Sequence, residues 1–209
     1  MTHRTIIEEC HDVVSTPQGI STSPNTDRAQ LQITTGSYGR VSKSHETTAA
    51  KLGDQLPDLT LPATSGRDVL LWSEAQGQHL VLFFYPGDLE GLRYPEMSGC
   101  TPEACMFRDN LAVLRGLGAE VFGINLHATR RQRSFVEREH LGFELLSDAD
   151  ERLTDALGVP VWRTEHGEVF VTRTTLVIQR GGRVAAVFDD VQPAGHVEQV
   201  VAAVRALKE

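Results

Sequence analysis

His79 to Tyr85 (HLVLFFY) is a continuous apolar run, the pattern of a strand buried on both faces. Glu120 to Leu126 (EVFGINL) predicts a second buried strand, followed by a basic, amphipathic helix from about Arg130 to His140. Upstream, Leu56 to Leu61 alternates as a short strand edged by prolines, and Asp68 to Trp72 gives another. Downstream, Phe143 to Leu146 reads as a short strand and Ala149 to Leu157 as a helix that stops at Gly158-Val159-Pro160. Thr172 to Gln179 and Arg183 to Phe188 are two strands joined by Arg180-Gly181-Gly182, a hairpin signal. A closing helix from about Ala194 to Lys208 carries the apolar stripe Val197, Val200, Val201, Val204 and Leu207.

One more helix is predicted between the two buried strands. After the loop that follows Pro86, Phe107, Leu111 and Leu114 recur at helical spacing, with Gly116 as a stop. The order β-β-β-α-β-α-β-α-β-β-α, without internal repeats, implies an α/β domain with a mixed central sheet and helices on both faces. Residues 1–50 do not share this texture. Fifteen of them are Ser or Thr, Tyr38 is the only aromatic, and no periodicity lasts. Such a segment buries too little apolar surface to offset its ordering entropy, so a disordered extension is expected before a folded domain at 51–209.

Net charge is −8, which argues against non-specific binding to nucleic acid or an anionic membrane. No apolar run approaches membrane-span length and none resembles a secretory signal. Three cysteines, with Cys10 far from the others, make no disulfide framework, and a reducing cytoplasm fits best. The eight histidines show no paired metal-ligand spacing.

The candidate chemistry lies in Gly99-Cys100-Thr101-Pro102-Glu103-Ala104-Cys105. Thr101 suits an N-cap and Pro102 the first helical position, which sets Cys100 just ahead of a helix N-terminus. Unpaired N–H groups and the macrodipole there favour a thiolate. Cys105 falls in the second turn, on or near the buried side. Five residues of ideal helix advance roughly 7.5 Å and rotate roughly 140°. That exceeds the roughly 7 Å between Cα atoms at which a disulfide is feasible, so the pair closes only if the first turn unwinds. Two unrelated cysteines, one half-exposed and one in the core, would share this spacing, since free cysteine is commonly buried.

From about Leu52 to the C-terminus the chain resembles the Q-type peroxiredoxins, the bacterioferritin comigratory proteins of the AhpC/TSA superfamily. The resemblance is carried by Gly53…Pro57-Asp58, Phe83-Phe84-Tyr85-Pro86, and Gly99-Cys100-Thr101-x-Glu103-Ala104-Cys105-x-Phe107-Arg108-Asp109. Leu145-Leu146-Ser147-Asp148, Leu157-Gly158-Val159 and Arg173-Thr174-Thr175-Leu176-Val177-Ile178 extend it. It implies a thioredoxin-like fold and reduction of hydrogen peroxide and organic hydroperoxides, with no metal or organic cofactor. It further implies that Cys100 is the peroxidatic cysteine and Cys105 the resolving one. Arg173 would lower the thiol pKa and orient the peroxide, and Glu103 would hold that arginine in place. Thioredoxin or a similar dithiol would reduce the resulting disulfide, in a monomer or weak homodimer.

One departure stands out. Family members usually carry a hydroxyl three residues before the peroxidatic cysteine, where this chain has Met97, and Pro86 lies fourteen residues before Cys100 instead of seven. The loop Gly87 to Gly99 therefore reads as an insertion that brings Ser98, or less favourably Thr101, to the peroxide. A disarmed site of this kind would instead suit a thioredoxin-fold redox sensor or binding module with weak peroxidase activity. A copper-chaperone role is a poorer match, because four residues separate the cysteines.

Overall fold

The protein is described by a computed structural model over residues 50–87, 99–189 and 191–207. The expected boundary near residue 50 falls at the edge of this range, and the extension before it lies outside the described residues. Strands β1 (Thr60–Pro62) and β2 (Asp68–Leu70) form an antiparallel pair, and α1 (Leu71–Gly77) follows directly. The core sheet contains β3 (His79–Phe84), β4 (Ala119–Asn125), β5 (Glu144–Ser147), β8 (Thr174–Gln179) and β9 (Arg183–Asp189) in the order β5-β4-β3-β8-β9. Strand β3 runs parallel to β4 and antiparallel to β8, so the sheet is mixed, as the pattern implies.

The helices are α2 (Cys100–Gly116), α3 (Thr129–Arg138), α4 (Arg152–Leu157) and α5 (His196–Ala206). Alternation along β3 divides the core into two layers. Leu80, Leu82 and Phe84 join α1 and α4 through Leu71, Ala75, Leu153 and Leu157. Val81, Phe83 and Tyr85 join α2, α3 and α5 through Phe107, Leu111, Phe135, Val197 and Val200. Helices thus cover both faces of the sheet in the thioredoxin-like arrangement.

Several elements depart from the sequence prediction: the strand expected over Leu56 to Leu61 forms only where it pairs with β2, as Thr60–Pro62, and the helix expected from Ala149 starts at Arg152. The strand expected over Asp68 to Trp72 ends at Leu70, because Leu71 and Ala75 are buried at i, i+4 spacing and turn the chain into α1. The segment from Trp162 to Phe170 is a hairpin of β6 (Val161–Arg163) and β7 (Val169–Val171). Its Trp162 and Phe170 rings stack with centroids 4.6 Å apart. Tertiary pairing creates this hairpin; its strands of three residues are too short to show a period.

Candidate active site

Helix α2 begins two residues earlier than expected. Its first residue is Cys100, and the N-cap is Gly99 in the left-handed conformation at φ 95°. Thr101 is not the cap: it lies within the helix, where its Oγ1 is buried without a hydrogen-bond partner. The physical reason lies at Gly99. A Cβ there would stand 2.7 Å from Pro193 Cγ, so only glycine provides both the positive φ and the close approach. The turn is set by the segment before α5, which α2 cannot reveal by itself.

The helix buries the stripe Cys100, Glu103, Ala104, Phe107, Leu111 and Leu114, and Glu103 is the one carboxyl on that stripe, Asp109 lying outside it. A glutamate on an apolar stripe requires a partner, and Arg173 supplies one. Arg173 lies between β7 and β8 and is 7% exposed. Its Nη1 donates to Glu103 Oε2, and its Nη2 donates to Cys100 Sγ at 3.2 Å. Three residues beyond β3, the Gly87 backbone N–H donates to the same sulfur. The three predicted residues Cys100, Glu103 and Arg173 therefore meet. Cys105 lies in the second turn of the same helix, 4% exposed, and neither thiol is in a disulfide. Ser98 and Met97 lie outside the described residues.

Burial pushes the Cys100 thiol up; the guanidinium and the Gly87 N–H oppose this without overcoming it, and the Glu103 charge adds to it. Placement at a helix N-terminus by itself predicts an ionised thiol, but here desolvation is the larger effect. Burial also raises the Glu103 carboxyl to about 7, despite contact with Arg173. One guanidinium thus faces two acids in a dry pocket.

His196, one of the eight histidines without paired metal-ligand spacing, completes the surroundings. It is buried at the start of α5, with Nε2 2.9 Å from Thr175 Oγ1 and its ring edge-on to Phe107 and Phe188. Burial, then the charge of Arg173, lowers its pKa to about 4. Its signal in the sequence is position: His196, Val200 and Val204 share one face at i, i+4 spacing.

These shifts have opposite consequences for stability. Glu103 titrates near 7 when folded against an ordinary 4.5, so its contribution is full below 4.5 and is lost as pH rises through 7. His196 titrates near 4 against an ordinary 6.5, so its contribution is full above 6.5 and is lost as pH falls through 4. Relative to wild type, Glu103→Gln should gain stability more steeply between about pH 4.5 and 7, and His196→Asn should tilt the other way. Urea unfolding across that range reads the tilt directly. Three parallel curves would contradict the burial of both groups as the cause.

A mixed sheet of this order carrying a buried thiol beside a guanidinium defines a thiol oxidoreductase of the thioredoxin fold. The AhpC/TSA family matches residues 52–187, and the chain belongs to that family. Within it the chain is a Q-type peroxiredoxin, and so a thiol-dependent peroxidase, on the following likenesses. A putative peroxiredoxin bcp of Coxiella burnetii is 35% identical over 153 residues, covering 72% of this chain and 96% of the relative. The crystal structure of peroxidoxin BcpB from Mycobacterium tuberculosis superposes with a TM-score of 0.67 at 32% identity, covering 77% of this chain and 99% of that one. A Xanthomonas campestris bacterioferritin comigratory protein, solved in work on its alkyl peroxide reduction activity, gives 0.65 at 27%, covering 76% and 100%.

Among the described residues, no group of three or more His, Cys, Asp or Glu is placed to hold a metal ion. No helix among them is long and apolar enough to cross a membrane.

Proposed function

We propose that the protein reduces hydrogen peroxide and organic hydroperoxides at Cys100, with Cys105 as resolving thiol and thioredoxin or a similar dithiol as reductant. The observation that carries this reading is the Arg173 guanidinium, held by Glu103 with one nitrogen 3.2 Å from Cys100 Sγ. The Cys100 sulfur attacks the nearer peroxide oxygen and the O–O bond breaks. Sulfur is oxidised to a sulfenic acid, and the thiol's proton leaves on the departing water or alcohol. Arg173 stabilises the thiolate as it forms and orients the peroxide, and its cost of holding still has already been met by the bond to Glu103. Ser98 contributes the hydroxyl that Met97 lacks. The Xanthomonas relative, studied for alkyl peroxide reduction, supports an organic hydroperoxide as one substrate.

Both cysteines lie on α2, so resolution requires its first turn to unwind and bring Cys100 to Cys105. The second turn stays anchored by Phe107, Leu111 and Leu114 in the core. The enzyme works in the cytoplasm as a monomer or weak homodimer, with residues 1–50 as a polar extension.

The test uses reduced wild-type protein and one equivalent of peroxide. Mass spectrometry should find the Cys100–Cys105 peptide two hydrogens lighter, and thioredoxin with its reductase and NADPH should then support continuous peroxide consumption. Slow oxidation without turnover would transfer the protein to the redox-sensor reading.

A further inference from the structure

The resolving step needs a proton acceptor that the peroxidatic triad does not provide. Cys105 is 4% exposed, and its thiol donates to Glu139 Oε2 at 3.8 Å. Glu139 is the C-cap of α3, fixed there by its N–H bond to the Phe135 carbonyl at 3.0 Å. Its second carboxylate oxygen accepts from Arg138 Nε at 2.8 Å. Its own carbonyl accepts from Arg108 Nη1, also at 2.8 Å. Arg108 stands three residues after Cys105 on α2, so the two helices are tied beside the thiol. The Glu139 side chain is 14% exposed, which links a nearly dry thiol to water through a carboxylate.

We infer that Glu139 is a catalytic residue of the resolving step, the general base that takes the proton from Cys105 as it attacks the Cys100 sulfenic acid. This rests on the resolving role proposed above for Cys105. A thiol attacks as thiolate, so a base placed at the thiol to take its proton speeds the attack. The carboxylate lies at the thiol before the reaction and remains there through it. Unwinding of the first turn moves Cys100, while Arg108 and the apolar anchors hold the second turn against α3.

The step balances. The Cys105 sulfur supplies the electron pair of the new S–S bond, and its proton passes to Glu139 Oε2. The S–O bond of the sulfenic acid breaks, and the departing hydroxide takes a proton back and leaves as water. Cys105 is oxidised, Cys100 is reduced, and the carboxylate is regenerated.

Glu139→Gln keeps an acceptor oxygen of similar reach but cannot carry a proton. After rapid mixing with less than one equivalent of hydrogen peroxide, dimedone trapping should show sulfenic acid accumulating at Cys100. Its conversion to disulfide should slow by roughly 10²-fold, the scale of one general base. In Glu139→Ala, added formate should restore part of that rate, which a purely structural role would not allow. Disulfide formation at the wild-type rate in Glu139→Gln, or sulfenate formation slowing in step with resolution, overturns the assignment. A wild-type protein that forms no Cys100–Cys105 disulfide defeats the two-cysteine reading itself, an outcome the variants are not needed to detect.

Discussion

Cys100→Ser protein is expected to consume hydroperoxide at the background rate of the buffer, a loss on the order of 10⁴- to 10⁶-fold, as when an enzyme's nucleophile is removed. A serine hydroxyl at this position can still accept from Arg173, so the fold and the Glu103–Arg173 pair should survive. Ionisation and nucleophilicity are what disappear: a hydroxyl yields almost no alkoxide at neutral pH, and oxygen is a poor partner for a peroxide oxygen. Cys105→Ser should behave differently in the same assay. It should oxidise rapidly once, then stall with thioredoxin, because the sulfenic acid has no thiol to condense with. Continuous turnover by Cys100→Ser would remove Cys100 from the chemistry. Continuous thioredoxin-dependent turnover by Cys105→Ser would remove only the resolving role.

Elements whose residues are buried wholly or on one face were legible in the sequence. The run His79 to Tyr85 is apolar because β3 is the middle strand, with helices on both faces. The stripes of α2 and α5 face the same core layer. Elements made by long-range contact were not legible. Helix α1 has only seven residues and no side-chain cap, so nothing local separates it from the strand before it. The start of α2 depends on Gly99 fitting against Pro193, and the local signals of Thr101 and Pro102 point two residues too late.

The site divides in a similar way. Cys100, Glu103 and Arg173 are named by the family pattern, and Glu103 also betrays itself as a carboxylate on an apolar helix face. Nothing in the sequence marks Glu139, because its meeting with Cys105 depends on how the end of α3 lies against the second turn of α2. Nor does the sequence show how dry the triad is. The helix terminus predicts an easily ionised thiol, yet Cys100 and Glu103 are both fully buried, so desolvation counts heavily. The two acids compete for the same guanidinium, and an ionised Glu103 makes ionising Cys100 harder. A proton on Glu103 therefore leaves more of Arg173's charge to the sulfur.

Arg173→Met tests this shared charge and carries the second large effect. The substitution removes the 3.2 Å donor from Cys100 and the cation that lowers its pKa, while leaving burial in place. The second-order rate constant with hydrogen peroxide should fall roughly 10²- to 10³-fold, the scale of a donor aimed at developing charge. Stability should fall too, because Glu103 loses its partner inside the protein, a change worth about 3–5 kcal/mol when the abandoned charge cannot neutralise. Here it can. Without the guanidinium, Glu103 should titrate above 7, so the stability gap to wild type should be small near pH 5 and widen through pH 8. Arg173→Lys should recover part of the stability but little of the rate, since one ammonium lacks the planar fork that reaches both acids. Stopped-flow oxidation and urea unfolding at the two pH values separate the effects. An unchanged peroxide rate constant in Arg173→Met would show that the guanidinium serves only to neutralise Glu103.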